Sequence, residues 1–313
     1  MAKIVVVGAG AVGSFFGGLL AKAGESVTLI GRAAHLEAIG ENGLRIDSKA
    51  WGREERIHGF ELSETIQAVA QAELVLFCVK STQTAAMAKA MQDLLPANAV
   101  VLSMQNGVEN PETLQRLLPQ ARVVPVAVYV ALSLAAPGLV RHFGRGELVV
   151  GPSSPWLETT ADRLREAGIG VTVSNQVMRD LWLKLVVNTA FNAVSAVSQK
   201  TYGEMFAEPM VQATVQQLTR EVVAVAQAEG YDISMEQGWA AVQAIAQTMA
   251  GQRSSTAQDL AAGKLTEIDF LNGTVARRAE SHGLSVPVTQ ALWSMVRLME
   301  GAGRTEKGKA RRT

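Results

Sequence analysis

A single cysteine, Cys78, stands in 313 residues. It excludes an intrachain disulfide and points to a reducing, cytoplasmic setting. A nucleophilic role for Cys78 competes with a plainer one, a buried strand thiol in the apolar run 74–79. Net charge is missing as well, with 29 Lys and Arg against 29 Asp and Glu. A nucleic-acid partner, whose phosphates need a basic face, is therefore not expected. The one basic cluster, from Arg304 to Arg312, reads as a solvated tail. Histidine is scarce: His35, His58, His142 and His282 are scattered, none at metal-ligand spacing, so no metal is assigned. No G-x-S-x-G and no Cys/His arrangement suggests acyl transfer. Lys3, the apolar stretch 4–20 and Ala21-Lys22-Ala23 imitate a secretory signal. The glycines in that stretch, and its direct continuation into a strand pattern, mark it instead as folded protein. No other run approaches the ~18–20 unbroken apolar residues of a membrane span, and neither repeats nor low-complexity tracts occur.

What is present suggests two domains, since single cores stop growing near ~250–300 residues. Apolar, β-rich runs at 3–7, 26–30, 74–79 and 99–102 alternate with helical runs at 11–23 and 82–95. That alternation predicts a parallel sheet covered on both faces, an α/β doubly wound Rossmann domain. Residues 122–151 read as an antiparallel edge or hairpin added to it. After about Asn175 the strand signals stop. Helices are expected over 176–197, 207–229, 235–248, 255–262, 267–281 and 287–299, giving an all-α second domain. The expected domains are 1–175 and 176–313. Ser255 with Gln258, and Thr266 with Asp269, are candidate capping boxes. Gly230, Gly263 and Gly283 suit helix C′ positions, and Pro287 a helix start.

Gly8-Ala9-Gly10-Ala11-Val12-Gly13 has G-x-G-x-x-G spacing. The pattern alone is weak, but here it follows a β-branched strand and opens a helix. Gly8 permits a tight turn, Gly10 lets a pyrophosphate approach the backbone, and Gly13 lets helix and strand pack closely. The helix N-terminus turns its free N–H groups toward the phosphates. NAD sites place a carboxylate after the second strand, where this chain has Ile30-Gly31-Arg32. A guanidinium there suits a 2′-phosphate, so NADPH/NADP+ is the expected cofactor, although a solvent-facing arginine fits the same position. Lys80, at the end of the 74–79 strand, is a second cationic candidate.

In Leu181-Trp182-Leu183-Lys184-Leu185-Val186-Val187-Asn188 one lysine sits among large apolar residues. Lys184, Asn188 and Asn192 follow at i, i+4 and i+8, on one helical face. Spacing alone leaves two readings open, a solvent stripe on an amphipathic helix or a set of ligand-binding groups. Likewise Glu267 after Thr266 is ordinary dipole compensation on its own, and Asn106-Gly107 an ordinary positive-φ turn.

Taken together, these residues resemble the ketopantoate reductase (2-dehydropantoate 2-reductase) family. The similarity rests on Gly8–Gly13, Cys78-Val79-Lys80, Gln105-Asn106-Gly107, Leu181-Trp182-Leu183-Lys184 with Asn188 and Asn192, Ser254-Ser255, Asp259, Thr266-Glu267-Ile268-Asp269 and Asn272-Gly273. The resemblance implies a Rossmann domain followed by an all-α domain like that of 6-phosphogluconate dehydrogenase. It also implies NADPH-dependent reduction of 2-dehydropantoate to pantoate, on the route to pantothenate and coenzyme A. Lys184 matches the family's general acid, a role that apolar neighbours ease by lowering an ammonium pKa. Asn188 and Asn192 match substrate-binding amides, and Ser255 a hydroxyl holding the substrate carboxylate. Asn106 matches a residue between nicotinamide and substrate. Glu267 matches a carboxylate near cofactor and substrate hydroxyl. Tyr202 and Gln252 depart from the family's best-studied type, which has asparagine at the first place and tends to have it at the second. They leave room for a reductase of another branched 2-oxo acid, or, from a different class, a non-catalytic NADP(H)-binding sensor. The expected partner is a small 2-oxo acid, with neither nucleic acid nor membrane. A homodimer is compatible with the sequence, which does not fix the oligomeric state.

Overall fold

The structure, a computed structural model, describes residues 3–310, with side chains through residue 300. The basic cluster from Arg304 to Arg312 lies outside the residues whose side chains are described. The chain forms two compact units, Met1–Met178 and Arg179–Thr313.

The first unit opens with β1 (Ile4–Val7), four β-branched residues that are all fully buried. Period-2 alternation sends Ile4 and Val6 into one core, and Val5 and Val7 into another, so the sheet is covered on both faces. Then follow α1 (Ala11–Lys22), β2 (Val27–Ile30), α2 (Ala33–Asn42), β3 (Leu44–Ser48), β4 (Arg53–Ile57), β5 (Glu61–Ser63), β6 (Leu74–Phe77), α3 (Thr84–Met91), β7 (Val100–Ser103) and α4 (Asn110–Leu117). The unit closes with β8 (Arg122–Ala136), β9 (Leu139–Val150), α5 (Pro155–Glu166) and β10 (Gly170–Val173). Strand order is β4-β3-β9-β8-β7-β6-β1-β2-β5, with β10 paired to β9. Phe15, Phe16 and Leu20 of α1 fill one face, while Ala88 and Met91 of α3 and Leu114 of α4 fill the other.

The predicted Rossmann sheet is present, with one correction. The hairpin over 122–151 is not an edge. β8 runs parallel to β7 over Arg122–Pro125 and then antiparallel to β9 from Val126 onward, and β9 carries β3 and β10 in turn. β3, β4, β5 and β10 are additional to the strands expected. β4 (Arg-Glu-Glu-Arg-Ile) and β5 (Glu-Leu-Ser) are short, charged and half-exposed, which hides the strand signal.

The second unit carries helices and no strand among the described residues. They are α6 (Val177–Ser198), α7 (Tyr202–Phe206), α8 (Pro209–Ala228), α9 (Met235–Thr248), α10 (Ser255–Ala261), a 3-10 turn (Ile268–Phe270), α11 (Asn272–Ser281) and α12 (Pro287–Ala310). One expected helix begins two residues late and another is broken. Pro209 lacks an N–H and restarts the chain at the first turn of α8. Leu271, at φ −112° and ψ −94°, separates the 3-10 turn from α11. The expected caps also shift. Ser254, not Ser255, caps α10 by accepting from the Ala257 nitrogen at 3.0 Å. Thr266 instead donates to Glu300 at 2.6 Å and accepts from the Ile268 nitrogen. Gly230, Gly263 and Gly283 take φ +87°, +62° and +66°, as helix-ending glycines do. By length and composition α6 could cross a membrane, yet 61% of its most apolar window is buried within the fold.

His35 ties the first unit's helices to its hairpin. Its Nδ1 accepts from the Gly138 nitrogen at 3.0 Å, which leaves Nε2–H to donate to Ser14 Oγ at 3.0 Å. A doubly protonated ring cannot accept the Gly138 bond, and burial pushes the His35 pKa below its ordinary 6.5. The unfolded chain therefore takes up this proton first. The contribution of His35 is complete above about pH 6.5 and falls as pH drops through that value toward the depressed folded pKa. We expect the urea midpoint to decline between pH 7 and 5.5, and His35→Gln to flatten that decline. Parallel slopes for both proteins would refute it.

Candidate active site

The carboxyl ends of the parallel strands gather four of the sequence-predicted groups. β1 is flanked by β2 on one side and β6 on the other. The chain winds outward from β2 to β5 and from β6 to β7, so strand order reverses between β1 and β6. Ligands of open α/β sheets bind outside the carboxyl ends at such a switch point. Val7 is in register with Phe77, so the Gly8 turn and Cys78 leave the sheet side by side.

Gly8 has φ +102°, and a Cβ there would stand 2.7 Å from the Val79 nitrogen. A Cβ on Gly13 would stand 2.3 Å from the Gly8 carbonyl oxygen and 2.8 Å from Val6 Cγ1. Both glycines are required by the protein's own packing. Gly10 is not, because a Cβ there meets nothing within 4 Å. Gly10 is also the N-cap of α1, and no side chain caps it. The first-turn N–H groups and the positive end of the helix dipole are thus left without a side-chain acceptor. Ala9 is buried, while Ala11 and Val12 are half-buried.

Arg32 is exposed two residues beyond β2, and Lys80 is exposed three residues beyond β6. Asn106 is half-buried three residues beyond β7, before Gly107 at φ +90°. Cys78 lies just past the end of β6 and is partly exposed, a correction to the buried strand thiol expected. Desolvation still pushes its thiol well above the usual range, which makes it a poor nucleophile.

In the second unit, α6 carries Lys184 and Asn188 half-buried, and Asn192 at 3% exposure. A solvent stripe would be exposed along its length, whereas here two of the three residues are half-covered and the third is buried. Ser254 ties α10 onto this helix: its Oγ donates to the Asn192 carbonyl at 3.2 Å, and its nitrogen donates to Ser195 Oγ at 3.2 Å. In the sequence Ser254 stands out only as the neighbour of Ser255. Its capping register, Ser254 to Ala257, lacks the Glu or Gln that marks a box. Because Ser254 takes the cap, Ser255 is exposed at the first position of α10 with its hydroxyl outside the capping geometry. Ala193 and Ala196 of α6, Ala257 of α10, Ile268 and Val296 share one core cluster. That packing brings half-buried Glu267, next to Ile268, to the same helices as Asn192 and Ser255. Tyr202 and Gln252 are neighbours too, with the Tyr202 nitrogen donating to the Gln252 carbonyl at 2.9 Å. The Tyr202 ring stacks on Phe191 at 4.7 Å, and burial raises its phenol to about 12. Among the described residues, no group of three His, Cys, Asp or Glu is placed to hold a metal ion.

Comparison with known proteins gives a consistent result. The family described as "Ketopantoate reductase PanE/ApbA" matches residues 4–155, and its C-terminal counterpart matches residues 176–300. A 2-dehydropantoate 2-reductase of Halobacterium salinarum is 34% identical over 306 residues, covering 96% of this chain and 100% of that protein. The crystal structure of a PanE/ApbA family ketopantoate reductase from Ralstonia eutropha superposes with a TM-score of 0.91. It shares 45% identity and covers 96% of this chain and 99% of its own. A D-mandelate dehydrogenase solved with NADH and anilino(oxo)acetate superposes at 0.89 with 26% identity, covering 96% and 99%.

Proposed function

The chain belongs to the ketopantoate reductase PanE/ApbA family, and we propose that it reduces 2-dehydropantoate to pantoate with NADPH. The observation that carries the reading is the Lys184–Asn188–Asn192 face. It holds an ammonium group and two amides in line on a helix that the fold buries rather than exposes. A cation and two amides on one face can meet the carboxylate and carbonyl oxygens of a 2-oxo acid.

The residues after β1 fit a dinucleotide. Gly10 leaves space that no protein atom needs, at an uncapped helix N-terminus suited to a pyrophosphate. Gly8, Ala9, Gly10, Ala11, Val12 and Gly13 would supply that cradle. Arg32 would grip a 2′-phosphate, with Lys80 a second cation and Asn106 and Glu267 nearer the nicotinamide. When bound, the reduced nicotinamide supplies the hydride. The chain's own part is to hold the 2-oxo acid and deliver the proton. Ser255 Oγ donates to the substrate carboxylate, and the Asn188 and Asn192 amides bond its oxygens. Lys184 Nζ donates a proton to the carbonyl oxygen as negative charge develops there, and its positive charge stabilises that oxygen beforehand. Glu267 accepts from the substrate hydroxyl.

The deciding experiment is a spectrophotometric NADPH-oxidation screen across 2-oxo acids. The highest kcat/KM is expected for 2-dehydropantoate, and comparable rates on 2-oxoisovalerate would overturn that choice. One observation favours a second reading, a reductase of another branched 2-oxo acid: the Tyr202 ring stacked on Phe191, beside Gln252. It presents an aromatic where the family's best-studied type has an amide.

Arg32→Ala is expected to weaken NADPH binding at least tenfold and NADH binding less than about twofold. Charge-assisted hydrogen bonds of about 1.5–3 kcal/mol are at stake. Equal losses, measured by titration of protein fluorescence, would remove Arg32 from 2′-phosphate recognition.

A further inference from the structure

Beneath Asn106 lies a chain of buried polar side chains. Gln105, Thr84, Asn110 and Ser81 are 5%, 2%, 2% and 2% exposed. Gln105 Nε2 donates to the Val79 carbonyl at 2.9 Å and to Thr84 Oγ1 at 2.7 Å. Thr84 Oγ1 donates to Asn110 Oδ1 at 2.8 Å. Asn110 Nδ2 then donates to Ser81 Oγ at 3.0 Å and to the Asn106 carbonyl at 2.7 Å, and Ser81 Oγ donates to that carbonyl at 3.3 Å. The proton direction is the same throughout, so both amides have one orientation only. Each hydrogen of the Asn110 amide is used, and its oxygen accepts from Thr84. The network ends on both sides of Lys80, at Val79 and Ser81, and on the turn that carries Asn106.

The geometry points to Asn110 as a positioning residue for the reduction. Its amide sets the Asn106 turn and the Lys80 segment at a fixed separation, while itself lying buried at the start of α4. Strand pairing ends before either segment begins, and buried Val79 and Val108 pack on the apolar core, so the polar network is what joins the two segments to each other. Gly107, at φ +90°, lets the turn close but does not hold it. The inference rests on the proposed reaction, in which Asn106 lies at the nicotinamide. It predicts that losing the two donors of Asn110 relaxes the turn while the cradle after β1 stays intact.

The test compares wild type with Asn110→Asp, which keeps shape and the acceptor for Thr84 but removes the amide donors. We expect kcat to fall at least tenfold. Calorimetric affinity for 2′-phospho-ADP-ribose, which lacks the nicotinamide ring, should stay within twofold. The affinity advantage of NADPH over that fragment should shrink at least threefold. Unchanged kcat together with an unchanged advantage overturns the proposal. If Asn110→Asp shows no cooperative melting transition, Ser81→Ala and Thr84→Val each remove one hydroxyl and its two links. They should move both readouts the same way by at least threefold, and wild-type values in both would overturn it equally. A wild-type protein that binds NADPH yet turns over no 2-oxo acid sinks the functional reading and this inference with it. An active wild type with an equally active variant sinks the inference alone.

Discussion

Lys184→Ala should lower kcat by at least ~10²-fold, the usual contribution of a general acid, while the dissociation constant for NADPH stays within about twofold. The split follows from where the residue sits. Lys184 belongs to α6, whose neighbouring Leu181, Trp182, Leu185 and Val186 are buried in the second unit. The proposed dinucleotide cradle is built from the first unit's own residues, Gly8 to Gly13. In the proposed mechanism, removing the ammonium takes away the proton donor and the charge beside the carbonyl oxygen, and leaves the cradle alone. Lys184→Arg separates the two contributions. It keeps a positive charge but not a group that gives up its proton, so it should recover little of the lost rate. Wild-type turnover in Lys184→Ala, measured by NADPH oxidation, would remove Lys184 from the mechanism.

The second large effect concerns two glycines three residues apart. Gly13→Ala places a Cβ 2.3 Å from a carbonyl oxygen and 2.8 Å from Val6 Cγ1. Those atoms belong to backbone and sheet and cannot turn aside. Overpacking of this kind costs about 1–3 kcal/mol, so the melting temperature should drop by several degrees and NADPH binding should weaken with it. Gly10→Val meets no protein atom within 4 Å of its Cβ, and its φ of −83° suits any residue. Its melting temperature should stay near wild type. Its NADPH affinity should nevertheless fall at least tenfold, because the branched side chain fills the space proposed for the pyrophosphate. If Gly10→Val binds NADPH as wild type does, the dinucleotide lies elsewhere.

The fold was legible wherever local pattern and tertiary demand agree. β1, β2, β6 and β7 are continuous β-branched or apolar runs because both faces are covered. The glycine spacing after β1 matches the crowding at Gly8 and Gly13. Charged strands carry no such pattern. β4 pairs antiparallel with β3, and Arg45 of β3 reaches Glu54 while Lys22 of α1 reaches Glu55, pairings that sequence spacing does not reveal. In the candidate site, Lys184, Asn188 and Asn192 stood out as polar residues on an apolar helix. The register at Ser254-Ser255 did not, because two adjacent serines compete for one cap and only the Ser254 contacts with Asn192 and Ser195 decide between them. Asn110 was invisible for a related reason. An asparagine before proline reads as an ordinary helix start, and its value lies in partners 26 and 29 residues away.

β8 begins as the outermost parallel strand and continues, without a break, into the antiparallel layer. The accessory strands are therefore not a detachable module. A fragment trimmed before Arg122, intended as a minimal nucleotide binder, would uncover β7 along its whole length. Its N–H and C=O groups would then offer a template to other chains, in an apolar strand with no charged residue to blunt it. Such a fragment should self-associate rather than bind as a soluble monomer, and any engineered minimal version has to carry the chain through β9.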